Sequence, residues 1–325
     1  MIRGLVIGKF HPPHLGHKFL IETALAQVDH LDVLVCARPG QIIPGKLRAG
    51  WLQQIHPQAG VLVIDDPGED DNSQFWARYV VQILGRAPEV VFTSEDYGEA
   101  LAWYLGCRHV MVDRGRVRVP ISARAICEAP LRCWEYLEPC VRAYFVKRVC
   151  VVEAESTGKT TLARDLAENY HTVWVPEYGR EYCEKLQSAG VDLWKYQWRS
   201  EEFSEIAGTQ QEIEDGMAGM ANRVLICDTD VLSTGIWHER YMGGPSAQVD
   251  AIAGSRPHDL YLLTSCDIAF RQDGMRDGET IRQWMTGRFE QALAGRFAWT
   301  KISGGREQRL ASAVRAVDKL LAEGG

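Results

Sequence analysis

Short apolar runs alternate with longer segments of helical periodicity along the whole chain. The apolar runs are residues 5–8, 31–36, 61–65, 89–94 and 109–113, and then 148–154, 172–177, 223–229 and 259–265. Buried apolar strands that are separated by helices are typical of parallel sheets covered on both faces. The sequence therefore predicts the α/β class, with parallel-sheet architecture in both halves.

The strand and helix pattern restarts once, in the middle of the chain. The 325 residues suggest two domains at roughly 150 residues per domain. After Pro139, a helix-like segment leads into the strand at 148. We therefore predict one domain over 1–146 and a second over 147–325.

Charge and cysteine content exclude several functional classes. The chain has 36 Lys and Arg against 43 Asp and Glu, a net charge of −7, which does not favour a protein that coats nucleic acid. Its nine cysteines form no CxxC pair, so we expect reduced thiols and no disulfide scaffold. No apolar run approaches the ~18 residues that span a bilayer. We expect a cytoplasmic protein that binds neither nucleic acid nor membranes, and a homo-oligomer is left open.

The first motif follows the first predicted strand. Residues 8–13 form a proline-rich turn, and His14, Gly16 and His17 open a helix in the pattern HxGH. Residues three apart share a helix face, and a helix N-terminus offers unpaired N–H groups to an anion. The glycine allows a phosphate close to the backbone. The motif therefore predicts a triphosphate site. The alternative interpretation is a pair of surface histidines near a helix cap.

This arrangement resembles the nucleotidylyltransferase superfamily. The later stretches 93–98, 112–116 and 119–122 are similar to nicotinamide-nucleotide adenylyltransferases of the bifunctional NadR type. The resemblance implies a Rossmann-like domain in which the HxGH motif binds ATP. The phosphate of nicotinamide mononucleotide then attacks the α-phosphorus, and NAD and pyrophosphate are formed.

The same resemblance suggests the residues of this first site. His14 and His17 are its catalytic candidates. Trp76 is a candidate for stacking on the nicotinamide ring, and the alternative, a helix residue that fills the core, is at least equally expected. The other candidates are Lys9, Phe10, Gly16, Ser122 and Arg124 for binding phosphate, and Asp113 for binding the nicotinamide nucleotide.

Two positions depart from the family pattern ISxTxIR. Its Thr position holds Arg124 and its Arg position holds Cys127. A thiol offers neither a positive charge nor a fork of donors, so transition-state stabilisation falls unless Arg124 reaches the phosphates. We expect an intact fold and a weak or lost adenylyltransferase activity.

The second motif lies between the strand at 148–154 and a helix. Residues 153–160 read EAESTGKT, a Walker A loop whose first glycine is replaced by Glu153. Backbone N–H groups of such a loop hold phosphates, Lys159 meets the β- and γ-phosphates, and Thr160 ligates Mg²⁺. A carboxylate at 153 would repel phosphate if it pointed inward. The other phosphate candidates of the loop are Ser156, Thr157, Gly158 and Thr161.

Charged residues follow the next strands. Glu177 and Arg180 follow the strand at 172–177, and Asp228 ends the strand at 223–229, where a magnesium-organising acid is expected. Arg276 and Arg282 follow the fourth strand as candidates for a lid over the phosphates, although a surface salt bridge is equally expected for Arg282.

These residues resemble the ribosylnicotinamide kinase half of the NadR-type family, whose marks are EYxRE, DTD and DGxRD. The resemblance implies a P-loop kinase that phosphorylates nicotinamide riboside with ATP and Mg²⁺. Glu177 is the first choice for the base and Asp228 for the metal, and the exchange of these roles is left open. The nucleoside candidates are Tyr178, Arg180 and Asp230.

The leading hypothesis is a two-domain NAD salvage enzyme. Its substrates are nicotinamide riboside, nicotinamide mononucleotide, ATP and NAD. One alternative is a kinase for another nucleoside with a relic first domain, and another is a nucleotide-sensing regulator. Some family members carry an N-terminal helix-turn-helix module, and we expect none here because the chain starts at the first strand.

Overall fold

The computed structural model describes residues 1–69, 71–272 and 278–323. The chain divides into two compact units, of which the first begins at Met1 and ends at Val141, and the second begins at Arg142. Each unit contains one five-stranded sheet in which all strand pairs are parallel. This confirms the predicted α/β class for both halves.

The first unit alternates strands and helices from its first residues. Its elements are β1 (Arg3–Gly8), α1 (Leu15–Leu25), β2 (His30–Ala37), α2 (Gly45–Ile55), β3 (Gly60–Asp65), α3 (Ser73–Leu84), β4 (Val90–Thr93), α4 (Tyr97–Leu105), β5 (Arg108–Met111) and α5 (Ala123–Glu128). A short 3₁₀ helix (Trp134–Tyr136) follows, and the division between the units falls within α6 (Pro139–Phe145).

The first sheet has the strand order β3-β2-β1-β4-β5. Alternate residues of its central strands pack on opposite faces, because the side chains of a strand have a period of two. Val6 of β1 packs with α1 and α2, whereas Leu5 and Ile7 pack with α3 and α4. The strand order reverses between β1 and β4, and such a reversal opens a crevice at the carboxyl ends of the strands. The HxGH turn follows β1 and therefore lies at this crevice.

The second unit repeats the architecture with a different strand order. Its elements are β6 (Lys147–Glu153), α7 (Lys159–Asn169), β7 (Trp174–Val175), α8 (Tyr178–Ser188), α9 (Ser200–Ala218), β8 (Val224–Asp228), α10 (Val231–Met242), α11 (Ala247–Ser255), β9 (Leu260–Thr264), α12 (Ile281–Leu293), β10 (Trp299–Ile302) and α13 (Arg306–Glu323). The sheet order is β10-β9-β6-β8-β7.

The core of the second unit lies on both faces of its sheet. Val149 and Val151 of β6 pack with apolar residues of α7 and α13 on one face, and Phe203 of α9 packs with α10 and α11 on the other. β10 pairs with β9 at the sheet edge and is a strand that the apolar pattern does not predict. Its four residues, WTKI, include Thr and Lys, so they do not form an apolar run.

Within residues 1–69, 71–272 and 278–323, no helix is both long enough and apolar enough to cross a bilayer.

Candidate functional sites

The two histidines of the HxGH turn form a stacked pair at the start of α1. The ring centroids of His14 and His17 lie 3.8 Å apart, and Phe10 meets the ring of His17 edge-on at 4.9 Å. His14 precedes the helix, and its Nδ1 accepts a hydrogen bond from the N–H of Gly16 at 3.1 Å. The proton of a neutral His14 is therefore on Nε2, where it can be donated to a ligand.

Both imidazoles are held in the neutral form. Burial and the nearby charge of Arg116 lower the pKa of His14 to about 4. Burial, followed by the charges of His14 and Arg116, lowers the pKa of His17 well below its usual range. At neutral pH the pair therefore offers N–H donors without a positive charge.

Gly16 has a steric role beside the histidine pair. A Cβ atom at this position would come within 2.9 Å of His14 Cε1. Real Cβ atoms do not approach this closely, so a side chain here would displace the ring. The glycine that the sequence assigns to phosphate approach therefore also sets the orientation of His14.

A cavity of about 510 Å³ adjoins the pair and is lined by Lys9, Asp66 and Trp76 among others. Trp76 of α3 donates its indole N–H to the carbonyl of Glu69 at 2.7 Å and is also partly buried against the core. Trp76 therefore packs partly against the core and also lines the cavity, and its stacking on a nicotinamide ring stays a prediction. Asp66 is a residue that the sequence reasoning missed, and its buried Oδ2 has no hydrogen-bond partner among the described residues.

A second cavity of about 410 Å³ contains the remaining candidates of the first unit. The carboxylate of Asp113 accepts hydrogen bonds from the N–H groups of residues 117–119, so it closes the loop that it starts. Ser122 caps α5 by accepting from the N–H of Ala125 at 3.2 Å. Both residues line the cavity while their oxygens stabilise its walls.

The family Arg position lies beside the proline-rich turn. The thiol of Cys127 is exposed and donates to the carbonyl of His11 at 3.3 Å. Arg124 is turned to solvent, where its Nε donates to Glu128 at 2.8 Å. Arg116 also lines the second cavity, and its charge acts on both histidines. Arg116 is therefore a further cation near the pair.

The phosphate-binding loop between β6 and α7 has the left-handed residues that its turn requires. Ser156 has φ 56° and Gly158 has φ 85°. The hydroxyl of Ser156 accepts from the N–H of Arg271 at 2.8 Å. The carbonyl of Thr157 accepts from the buried guanidinium of Arg309 at 2.6 Å, which ties the loop to α13. Arg309 is not predictable from the sequence motif, although its guanidinium fixes the loop at the carbonyl of Thr157.

The loop lysine lies between two carboxylates at the ends of neighbouring strands. Lys159 Nζ is 2.8 Å from Glu177 Oε2 and 2.5 Å from Asp228 Oδ1. Burial opposes the charge of Lys159, but the surrounding carboxylates outweigh it and raise the pKa of the lysine. The cluster brings together three candidates, of which Lys159 and Asp228 are 69 residues apart in sequence.

An aromatic pocket opens next to this cluster. Trp198 lies 5.3 Å from Phe203 and 5.6 Å from Tyr241, and Trp237 stacks on Tyr241 at 5.9 Å, measured between ring centroids. These rings line a cavity of about 140 Å³ together with Lys159, Glu177 and Arg180. These four aromatic residues are not predictable from the sequence, because each by itself is typical of an ordinary core residue.

Two of the nucleoside candidates are not among the residues that line this cavity. The N–H of Tyr178 donates to Gln210, and its ring lies under Lys185. Asp230 is buried: its Oδ1 caps α10 at the N–H of Ser233, and its Oδ2 accepts from the hydroxyl of Tyr261 at 2.7 Å. Of the three candidates, only Arg180 is among the residues that line the pocket.

The lid candidates are placed differently. Arg282 of α12 is buried, and its Nη2 donates to the carbonyl of Ile268 at 3.0 Å. Arg276 and the DGxRD stretch at 273–277 lie outside the described residues.

A separate cavity of about 250 Å³ flanks the other side of the phosphate-binding loop. Its lining includes Thr161 and Ile268 together with Gly304 and Arg306. The walls combine an apolar side chain, backbone and a guanidinium, which is a suitable surface for a flat aromatic base. This cavity is not predictable from the sequence, because its lining comes from segments that are far apart in the chain.

The sequence matches known proteins over most of its length. The family described as an AAA domain matches residues 148–309. The trifunctional NAD biosynthesis/regulator protein NadR of Escherichia coli strain K12 is 29% identical over an alignment of 298 residues, and the match covers 84% of this chain and 71% of that protein. The protein of the same name from Salmonella typhimurium strain LT2 gives the same identity and coverage.

Solved structures show the same fold. A NadR protein in complex with NR superimposes with a TM-score of 0.80 at 18% identity, covering 98% of this chain and 96% of that chain. A NadR protein in complex with NAD and AMP-PNP superimposes with a TM-score of 0.77 at 19% identity, covering 100% of this chain and 97% of that one. The fold match therefore extends over both units.

Proposed function

We propose that this chain, which is 29% identical to NadR over 84% of its length, is a NAD salvage enzyme of the NadR type with two active sites. The second unit phosphorylates nicotinamide riboside to the mononucleotide with ATP. The first unit transfers the adenylyl group of a second ATP to the mononucleotide and releases pyrophosphate. The observation that carries the proposal is the Lys159 cluster beside the aromatic pocket, since it joins a phosphate-binding loop to a site for a ring.

The aromatic pocket is proposed as the site of the nicotinamide ring. Nicotinamide riboside carries a positive charge on its pyridinium, and aromatic faces attract cations by about 0.5–2 kcal/mol. Trp198, Trp237 and Tyr241 supply such faces around one cavity. A neutral nucleoside would lose this attraction, so the pocket favours the salvage substrate over other nucleosides.

Phosphoryl transfer follows from the groups at the mouth of this pocket. Glu177 is the acceptor for the proton of the attacking 5′-hydroxyl, and Lys159 neutralises the transferred phosphoryl group. Lys159 now pairs with Glu177 and Asp228, and its move to the phosphates would free both carboxylates. In the alternative arrangement Asp228 accepts the proton and Glu177 organises the magnesium ion, and substitution of each acid in turn distinguishes the two arrangements.

The residues at this end of the sheet fit a magnesium ion. Mg²⁺ prefers hard oxygen ligands and keeps several waters, and Asp228 presents a carboxylate at the end of β8 while Thr160 lies in the first turn of α7. We propose that these two residues hold the ion, which would neutralise charge on the ATP phosphates. The adenine base is assigned to the cavity between Ile268 and Arg306.

Substitution of one pocket ring tests the nicotinamide site. We expect Trp237→Ala to raise the KM for nicotinamide riboside about 2- to 30-fold, from the range of cation–π energies, with little change in the KM for ATP. Trp237→Phe keeps an aromatic face and should recover most of the affinity. Trp194, which is 61% exposed and outside the pocket lining, supplies the matched control Trp194→Ala. Equal KM values for Trp237→Ala and the parent would contradict the assignment.

Adenylyl transfer in the first unit needs positioning and charge neutralisation and no covalent protein intermediate. A phosphate oxygen of the mononucleotide attacks the α-phosphorus, and the bond to pyrophosphate breaks. The neutral imidazoles of His14 and His17 donate hydrogen bonds to the phosphates. The nicotinamide end is assigned to the cavity that is lined by Trp76 and Asp66.

Restoring the family Arg should accelerate this half-reaction. Loss of one preorganised donor typically costs ~2.7–4 kcal/mol of barrier, so we expect Cys127→Arg to raise the rate of NAD formation at least about tenfold. The measurement is steady-state turnover with nicotinamide mononucleotide and ATP. If the parent is fast and Arg124→Ala or Arg116→Ala stops it, one of these cations already compensates and the weakened-site interpretation is wrong.

Product analysis by mass spectrometry tests the whole proposal. The protein is incubated with nicotinamide riboside, ATP and Mg²⁺, and we expect the mononucleotide with a smaller amount of NAD. Preferred phosphorylation of another nucleoside would favour the kinase alternative with a relic first domain. Ligand binding without any product would favour the sensor alternative.

The partners follow from this assignment. We propose small-molecule substrates only, with no nucleic acid or membrane partner, and a homo-oligomer remains open to measurement. The nine cysteines are all free thiols, which supports a reducing, cytoplasmic environment.

A further inference from the structure

The carboxylate of Glu153 lies inside the phosphate-binding loop. Its Oε2 accepts hydrogen bonds from the N–H groups of Thr157 at 3.0 Å and Lys159 at 3.1 Å. The same oxygen accepts from the hydroxyl of Thr157 at 2.5 Å. Backbone N–H groups of a Walker A loop are the donors that hold nucleotide phosphates. A carboxylate of the chain therefore occupies donors that a phosphate needs.

This contact depends on the departure from the Walker A pattern. Glu153 is the last residue of β6 and stands where the pattern has its first glycine. A glycine has no side chain to enter the loop, so the pattern itself would leave these N–H groups open to an anion. The neighbouring acid Glu155 is turned elsewhere, because its Oε2 accepts from the N–H of Gly278 at 3.1 Å.

The cationic group of the loop is engaged as well. Lys159 Nζ pairs with Glu177 and Asp228, so its charge is satisfied within the protein. The hydroxyl of Thr157 is further held by Thr264 Oγ1 at 2.5 Å, on the neighbouring strand β9. The loop is thus satisfied within the protein. The carboxylate of Glu153 accepts from its N–H groups, and the carboxylates of Glu177 and Asp228 pair with its lysine.

We propose that Glu153 is an internal competitor of the nucleotide phosphate and sets the affinity of the kinase site for ATP. This inference rests on the proposed kinase function. Two anions cannot share the same N–H donors, so Glu153 leaves the loop before the phosphates enter. The apparent dissociation constant of ATP is then the intrinsic constant divided by the fraction of molecules in which the carboxylate is displaced. The kinase therefore needs a higher ATP concentration for half-maximal activity than it would need without the Glu153 carboxylate in its loop.

The test compares substitutions at 153 by readouts that belong to the kinase site. We expect Glu153→Gly to lower the KM for ATP in riboside phosphorylation at least about tenfold, which corresponds to a displaced fraction of about one tenth in the parent. The inhibition constant of inorganic tripolyphosphate, an anion without a base, should fall by a similar factor. Glu153→Gln keeps the shape without the charge and should move both constants in the same direction by less.

A matched control separates this effect from a general change in charge. Glu212 is an exposed acid of α9 in the same unit, and Glu212→Gln should leave both constants unchanged. We also expect Glu153→Gly to lower the Tm of the nucleotide-free protein, since two loop N–H groups lose their acceptor, and tripolyphosphate to restore it. If Glu153→Gly does not fold, Glu153→Gln carries the comparison.

Unchanged or weaker binding of ATP and tripolyphosphate by both variants at 153 would overturn the inference. Calorimetry with tripolyphosphate measures this binding independently of turnover. A parent protein that binds tripolyphosphate but phosphorylates no riboside would contradict the kinase function, while the comparison at 153 would still decide the role of the carboxylate.

Discussion

Replacing Lys159 with alanine should abolish the phosphorylation of nicotinamide riboside. Lys159 is the lysine of the phosphate-binding loop. Removing a cation that stabilises phosphoryl transfer lowers the rate about a thousandfold or more. NAD formation from added mononucleotide should continue, because it occurs in the first unit. The two rates are measured separately, with riboside and with mononucleotide as substrate.

This substitution also removes a buried ion-pair partner. Asp228 is 2% exposed, and breaking a buried pair typically costs about 3–5 kcal/mol because a charge is left without a partner. Lys159→Arg retains the positive charge and is therefore the control for stability, while its planar guanidinium differs from the point charge of an ammonium. A folded Lys159→Ala protein with the full kinase rate would disprove the phosphate-binding role of the loop.

Replacing either histidine of the HxGH pair should lower the rate of NAD formation about 10²- to 10³-fold, the usual cost of one preorganised donor. We expect this for His14→Ala and for His17→Ala, with riboside phosphorylation unchanged. His30, at the start of β2, pairs with Asp32 and lies outside both cavities of this unit. His30→Ala is therefore the matched control.

The pH dependence distinguishes neutral donors from a charged pair. The pKa of His14 is lowered to about 4, so its neutral form is present above that pH and is lost only as the pH falls towards 4. The rate of NAD formation should therefore show no inflection from these groups between pH 6 and 8. A rate that rises as the pH falls through 6.5, and that loses this rise in His14→Ala, would show that the protonated form acts.

The local motifs were predictable because their geometry is set by neighbours in sequence. A strand followed by HPPHLGH, or by STGKT, has its turn and its helix start determined within about ten residues. The prediction of paired histidines at one helix start and of a lysine at the other agrees with the positions of His14, His17 and Lys159. The strand-end acids Glu177 and Asp228 were also predictable, because parallel strands end at one edge of a sheet.

Other residues required the three-dimensional arrangement. The pocket rings Trp198, Phe203 and Trp237 come from two helices and the segment before them, and their spacing is typical of ordinary core residues. Asp230 follows the strand as a site acid would, yet its oxygens cap a helix and accept from Tyr261. Arg282 lies in a polar stretch that predicts a lid, but its side chain is buried against the carbonyl of Ile268.

The sequence by itself determined the α/β class, the two parallel sheets and the position of both nucleotide motifs. These features follow from hydrophobic periodicity and from turns that are local in the chain. The tertiary structure decided which side chains share a cavity, because cavities are built from segments far apart in sequence. It also decided the orientation of Glu153. The sequence left open whether this carboxylate points into or away from the loop, and the contacts with Thr157 and Lys159 hold it inside, because buried N–H groups must find an acceptor.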